Sequence, residues 1–251
     1  MSEYKYKKVV VKIGSNVLTS ENGNLDELAL AQLTLQIAEI KKAGVEIILV
    51  SSGAVASGRG MVNLIDKTDS VASRQVFAAV GQVKLLQNYY QLFQNHRINC
   101  AQVLVTKEDF RDRVHYINMQ NCFNALLQNG ILPIVNENDV ISVTELMFTD
   151  NDELAGLIAT ITNADALLIL SNVDGLYDGN PKDASSKIIS KIGEKIDFAQ
   201  FVHSSKSDFG RGGMITKSNI ARKVAANGIT VKIGNGNRYL HLNLLLFLRK
   251  T

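Results

Sequence analysis

Hydrophobic positions along this chain switch repeatedly between two periods. The stretch VVVKIGSN, residues 9–16, opens with three valines, an unbroken apolar run that reads as a strand buried on both faces. Between Asp26 and Ala43 the period lengthens. Leu30, Leu33, Ile37 and Ile40 follow one another at spacings of three, four and three, which predicts an amphipathic helix, and Gly44 supplies its stop. VEIILVSSG predicts a second buried strand, and VASRQVFAAVGQVKLLQNYYQLFQ a long helix with Val76, Val80, Val83, Leu86, Tyr90 and Phe93 on its apolar face. INCAQVLVT then predicts a strand, INMQNCFNALLQ a helix, ILPIVNE a strand, DELAGLIATITN a helix and ALLILSNV a strand.

Such alternation predicts an α/β protein, a three-layer αβα sandwich around an open, mostly parallel sheet. Ligands in that architecture bind beyond the carboxyl ends of the strands. The residues there are distinctive: Lys12, Gly14 and Ser15 after the first strand, then Ser51, Ser52, Gly53 and Ala54 after the second. NEND, residues 136–139, follows LPIV; eleven residues past Asp139 begins DNDEL; SNVDGLYDGNP, residues 171–181, follows ALLIL; and GRGGMITK, residues 210–217, leads into the helical pattern SNIARKVAANG.

Composition narrows the function classes. With 251 residues, 46% of them hydrophobic and 20% charged, the chain can bury one substantial core. A net charge of +3 comes from interspersed bases and acids without an arginine-rich run or an aromatic ladder, so nucleic acid is not an expected partner. Cys100 and Cys122 lack C-x-x-C spacing and the four histidines form no ligand set with them, which points away from structural zinc and towards a reduced, cytoplasmic setting. MSEYKYKK contains no apolar signal region, and the apolar stretches are too short to cross a bilayer, so no membrane association is expected.

Lys12 is the first chemical clue, because an unpaired ammonium at the end of a buried strand is costly and calls for an anion. GRGGMITK is read either as a flexible surface loop or, with two glycines before Met214 and Lys217 opening a helix, as a phosphate cradle. FTDNDEL is a helix cap, yet Asp150, Asn151 and Asp152 supply more polar groups than one cap requires. SSGAVASG is followed by Arg59 and Gly60 where a P-loop needs Lys and then Ser or Thr, and no G-x-G-x-x-G occurs, so neither nucleotide fingerprint is present.

Taken in order, VVVKIGSN, VSSGAVASG, LPIVNENDVIS, FTDNDELAGLIA, LLILSNVDGLYDGNP and GRGGMITK resemble the amino acid kinase family from about residue 7 to about residue 234. NEND followed by DND resembles, within it, the member acting on L-glutamate. The resemblance implies the amino acid kinase fold, Mg2+ and ATP as phosphoryl donor, and transfer to the side-chain carboxylate of L-glutamate at the head of proline biosynthesis. N-acetylglutamate, aspartate or carbamate as acceptor, and a non-catalytic sensor on the same scaffold, are the alternatives. By the same resemblance Lys12 and Lys217 are catalytic lysines and Asp152 the acid orienting them, with no side-chain metal ligand assigned. Ser52, Gly53, Asp139 and Asn151 bind glutamate, Asp139 through its α-ammonium group. Lys12, Gly14, Ser171, Asn172, Asp174, Gly175, Tyr177, Arg211, Gly212, Gly213, Met214 and Lys217 match nucleotide-binding positions. Ser171-Asn172 stands where the family commonly has Thr-Asp, and Arg211 where it has a small Thr. Proline as feedback inhibitor, a mobile loop over about Gly58 to Ser73, and a homo-oligomer of two or four chains are further implications. Relatives of this type often carry a C-terminal PUA domain, whereas only NRYLHLNLLLFLRKT follows residue 236, so residues 1–251 are expected to be a single amino acid kinase domain with the apolar tail as a last packed strand.

Overall fold

In the computed structural model, residues 4–64, 69–142, 148, 150–179, 183, 185–191, 211–238, 242 and 245 are described. Six strands, β1 (Lys8–Ile13), β2 (Glu46–Ser51), β3 (Cys100–Val105), β4 (Leu132–Glu137), β5 (Ala166–Ser171) and β6 (Thr230–Asn235), form one sheet in the order β3-β4-β2-β1-β5-β6. Every pairing between them is parallel, with Lys12 of β1 opposite Val50 of β2 and Ile169 of β5. β1, the first strand in sequence, thus lies inside the sheet, and its loop opens at the centre of the carboxyl edge.

Strand parity sorts the side chains into two cores. Val9, Val11 and Ile13 of β1 pack with Leu30, Leu33 and Ile37 of helix α2 (Glu27–Lys42) and with Leu85, Tyr89 and Phe93 of α4 (Ser70–Gln94). Val10 faces the other way, with Leu154 and Ile158 of α6 (Asn151–Ile161) and Ile220 and Val224 of α7 (Arg211–Ala226). Lys12 has the parity of Val10, which aims it at α6 and α7. A further helix, α5 (Arg113–Gln128), covers the same face through Phe123 and Leu127.

Local chemistry explains the element ends. Asp26, Asp69, Asp112 and Asp150 cap α2, α4, α5 and α6, each side chain accepting from backbone N–H groups of the first turn. Two short helices, α1 (Ser15–Leu18) and α3 (Ala54–Arg59), follow β1 and β2. α3 packs on α4 at unusually short range: a Cβ on Gly81 would run into the Ala54 carbonyl, and one on Gly58 into that of Phe77. Only glycine permits this contact, and it anchors the loop carrying Ser52 and Gly53 against α4.

Three expectations change. α4 buries Ala78, Gly81, Leu85, Asn88, Tyr89 and Phe93, while Val76, Val83 and Tyr90 are exposed, because the close approach of α3 selects the small-residue face rather than the most apolar one. α7 begins at Arg211, six residues before Lys217, so the glycine-rich stretch is its first turns and not a loop. In the tail, the described residues Leu242 and Leu245 are helical rather than extended; Leu242 is buried and its N–H donates to Gln36 Oε1 at 3.3 Å. Of the segment expected as a mobile loop, residues 58–64 and 69–73 contain the end of α3 and the start of α4, and residues 65–68 lie outside the described set.

Candidate active site

The carboxyl ends of β1, β2, β4 and β5 surround a cavity of about 340 Å³. Lys12, Gly14, Ser52, Gly53, Asp139, Asn151, Asp152, Ser171 and Lys217, all singled out from the sequence, line it. Asn172, Asp174 and Tyr177 lie beyond its walls. Asp174 accepts from Asn235 Nδ2 at 3.0 Å and pairs with Arg238, and Tyr177 forms an isolated bridge to Ile188, so the segment after β5 is tied to β6 and to the chain around Ile188. The backbone of Arg211, Gly212, Gly213 and Met214 opens α7, and their side chains lie outside the described set.

At the floor, one carboxylate holds two ammonium groups. Lys12 Nζ lies 2.6 Å from Asp152 Oδ1 and Lys217 Nζ 2.7 Å from Oδ2. Helical spacing produces the meeting: Asp152 lies one turn before Gly156 on α6, Lys217 about one turn before Ile220 on α7, and a Cβ on Gly156 would touch Ile220 and Val224 at 3.0 Å. Asp152 is fully buried, and Lys12 nearly so. Burial pushes the Asp152 carboxyl up, but the Lys12 and Lys217 charges outweigh it and hold the group below the usual carboxylate range. For Lys12 burial dominates and the neighbouring Lys217 charge adds to it, so its ammonium loses its proton more easily than an exposed lysine despite the bond to Asp152. The trio carries a net single positive charge aimed into the cavity.

Above it stands Asp150, whose Oδ1 accepts from the N–H groups of Asp152 and Glu153 at 2.9 and 3.2 Å. Burial and the Asp152 charge raise its affinity for a proton. Gly14 N–H donates to Leu170 O at 3.1 Å, and a Cβ there would come within 3.1 Å of the same oxygen and 3.6 Å of Lys12 Nζ. Gly53 has φ +108, a left-handed conformation that turns the chain from β2 into α3.

The β4 side is built from amides and one ion pair. Asn151 Nδ2 donates to Ser52 Oγ at 2.8 Å and Asn136 Oδ1 at 3.1 Å, and Asn136 Nδ2 donates to Gln82 Oε1 at 3.0 Å. Asp139 Oδ1 accepts from Arg74 Nη2 at 2.9 Å, and Gln75 Nε2 donates to Val140 O at 2.6 Å. Glu137 Oε1 accepts from Phe148 N–H at 3.0 Å; burial pushes this carboxyl up, and the nearby Asp139 charge adds to the shift. Ser51 Oγ and the Tyr89 hydroxyl share a buried hydrogen bond of 2.8 Å. Arg74, Gln82 and Tyr89 were not among the residues singled out. They come from one helix whose sequence shows only its apolar period, and nothing local announces which of its polar groups turn inward.

An open parallel sheet with a cationic, carboxylate-organised floor at its carboxyl edge defines a protein able to bind an anion such as a phosphate against Lys12 and Lys217. The amino acid kinase family matches residues 7–235, and the chain belongs to that family. It is 56% identical over 234 residues to glutamate 5-kinase of Bacteroides thetaiotaomicron, covering 93% of this chain and 65% of that protein. Glutamate 5-kinase of Chlorobaculum tepidum is 55% identical over 237 residues, covering 92% and 64%. The chain therefore spans slightly less than two thirds of the length of these curated relatives. Among solved structures, carbamate kinase from Giardia lamblia bound to AMP-PNP superposes with a TM-score of 0.67 at 20% identity over 96% of this chain and 95% of that one. An isopentenyl phosphate kinase superposes at 0.65 with 16% identity over 97% of each chain. These two likenesses establish the fold.

Proposed function

We propose that the chain transfers the γ-phosphoryl group of ATP to the side-chain carboxylate of L-glutamate, giving L-glutamyl 5-phosphate and ADP, in the cytoplasm and as the entry to proline biosynthesis. The observation that carries the proposal is the Lys12–Asp152–Lys217 trio at the floor of the cavity. A glutamate carboxylate, with a reference pKa of about 4.3, is ionised at neutral pH and requires no general base. The difficulty lies in bringing one anion to another, and it is met by in-line positioning and by cations that disperse charge on the transferred group. The carboxylate oxygen forms the new bond to phosphorus as the bond to the bridging β,γ oxygen breaks, and ADP leaves with that electron pair. Asp152 keeps two ammoniums together that would otherwise repel each other.

At the other end, Arg74 and Asp139 pair a cation with an anion. They complement the two charges of an α-amino acid, Asp139 meeting the ammonium and Arg74 the α-carboxylate. Parallel strands lie about 4.8 Å apart, so the β4 loop with Asp139 and the β1 end with Lys12 are separated by about 10 Å across β2, a span suited to a five-carbon diacid. Among the described residues no group of three His, Cys, Asp or Glu side chains could hold a metal ion, and Asp150 and Asp152 are engaged by the helix cap and the lysines. Mg2+ accordingly belongs to this reading as the ion carried by the nucleotide phosphates, and no step here is assigned to it.

The homo-oligomer is also proposed. Val76, Val83 and Tyr90, spaced by seven along α4, leave an exposed apolar stripe that a two-fold related copy could pair with its own. Sedimentation velocity should find a dimer or tetramer, and Val83→Glu should shift it towards monomer. Inhibition by proline is carried over from the resemblance alone.

The test is to incubate purified protein with Mg2+, ATP and, separately, L-glutamate, L-aspartate, N-acetyl-L-glutamate and carbamate, with hydroxylamine to trap acyl phosphate. ADP and hydroxamate with L-glutamate alone are expected. Turnover with another acceptor would keep the lysine roles and overturn the β4 side; ATP binding without turnover on any acceptor would favour a sensing protein.

A further inference from the structure

Asn136 Oδ1 lies 2.9 Å from the backbone N–H of Glu137. A backbone N–H can only donate, so this atom of the Asn136 side chain must be the oxygen, and the two ends of the amide are not interchangeable. The assignment then propagates. The atom of Asn151 that lies 3.1 Å from Asn136 Oδ1 must be a donor, hence Nδ2, and the atom of Gln82 that lies 3.0 Å from Asn136 Nδ2 must be an acceptor, hence Oε1. Nδ2 of Asn151 also reaches Ser52 Oγ at 2.8 Å, which makes that hydroxyl an acceptor from Asn151 and turns its own proton elsewhere. Asn151 lines the cavity with its amide donors directed into the protein. What it offers a ligand is Oδ1, an acceptor.

We propose that Gln82 is a positioning residue: through Asn136 it holds the Asn151 amide with its oxygen towards the bound amino acid, so that Asn151 and Asp139 together read the α-ammonium group. The inference rests on the reading of the cavity as a glutamate site. Gln82 is well placed for the task, because Gln75, Gln82 and Tyr89, spaced by seven on α4, each hydrogen-bond a segment at the carboxyl edge of the sheet, namely Val140, Asn136 and Ser51. α4 is locked to that edge by the Gly58 and Gly81 contacts with α3. Gln82 itself does not line the cavity, so its effect on the ligand passes through Asn136 and Asn151.

Steady-state kinetics of Gln82→Met and Gln82→Glu test the relay. Methionine keeps the length and loses the acceptor, and the loss of one such hydrogen bond should raise KM for L-glutamate about tenfold. KM for ATP and kcat should hold within about twofold, since the lysine trio is untouched. Glutamate at position 82 keeps an acceptor and should restore KM to near the unchanged protein. An unaltered KM for L-glutamate in Gln82→Met, or equal impairment in both variants, overturns the relay while leaving the kinase reading standing. A second measurement needs no variant: 2-hydroxyglutarate, which can donate at C2, should compete with L-glutamate more tightly than 2-oxoglutarate, which can only accept. The reverse order overturns the assigned polarity of Asn151. If the unchanged protein neither binds L-glutamate in calorimetry nor phosphorylates it, the site reading itself falls and the relay with it.

Discussion

At the β1 end of the cavity the groups are held by charge: one buried carboxylate, two ammoniums, bonds of 2.6 and 2.7 Å and no water-facing alternative for Asp152. At the β4 end they are held by neutral amides and by an ion pair whose arginine side chain is half exposed. The difference matches the tasks that the proposed reaction sets for each end. A charge that has to act on a developing transition state is most effective where water is excluded and its geometry already set. A group that has to recognise a ligand and release it again works better with moderate, directional contacts. The buried trio is also intolerant of losing its carboxylate: without Asp152 two ammoniums are left to repel each other in the interior, whereas losing Arg74 removes a half-exposed partner from Asp139.

The sharpest separation of the two ends comes from Lys217→Ala. It should lower kcat by about a thousandfold, about 4 kcal/mol at the transition state, with ATP binding still measurable by calorimetry. A loss of ATP affinity with kcat unchanged would make that lysine a binding group only. Next in size, Gly81→Ala should destabilise the fold by about 3 kcal/mol by driving α3 away from α4, read as a lowered urea midpoint; normal stability would mean that this contact does not organise the β2 end. Asp139→Ala should act on the β4 end alone, raising KM for L-glutamate by about 30-fold through loss of a charge-assisted bond and leaving kcat near its starting value.

Smaller effects sharpen the contrast. Lys12 is depressed by burial and must be charged to meet phosphate, so kcat/KM for ATP should fall as pH rises through a value below the ordinary lysine range of about 10.4. An alkaline limb at or above that range would show that the ammonium is not desolvated in the free protein. Tyr89→Phe removes a hydroxyl from a bond whose partner, Ser51 Oγ, retains Ser52 O at 2.9 Å, and should cost about 1 kcal/mol in urea denaturation.

The strand ends and the polar residues behind them were legible because each is a local signal. A β-branched run followed by Lys-x-Gly, or an Asp cap followed by an apolar helix period, is written within a dozen residues. Arg74 and Gln82 were not legible for the converse reason: each lies about 60 residues from its partner in the chain, and the apolar period of α4 runs through Val76 and Val83, which are exposed, and not through Leu85, which is buried. The glycine-rich start of α7 was likewise hidden, since helix propensity argues against Gly212 and Gly213 in a helical turn, and packing of α7 on α6 outweighs it.

By itself the sequence determined the alternation of strands and helices, hence the parallel sheet and the edge at which ligands bind, because hydrophobic period and capping are properties of neighbours along the chain. It also displayed Lys12, Asp152 and Lys217 as chemically unusual residues at that edge. That the three meet, which face of α4 turns inward, and which atom of Asn151 faces the cavity were decided only by tertiary structure: strand parity, the Gly156 contact between α6 and α7, and one backbone N–H at Glu137 join residues whose separation along the chain carries no trace of their separation in space.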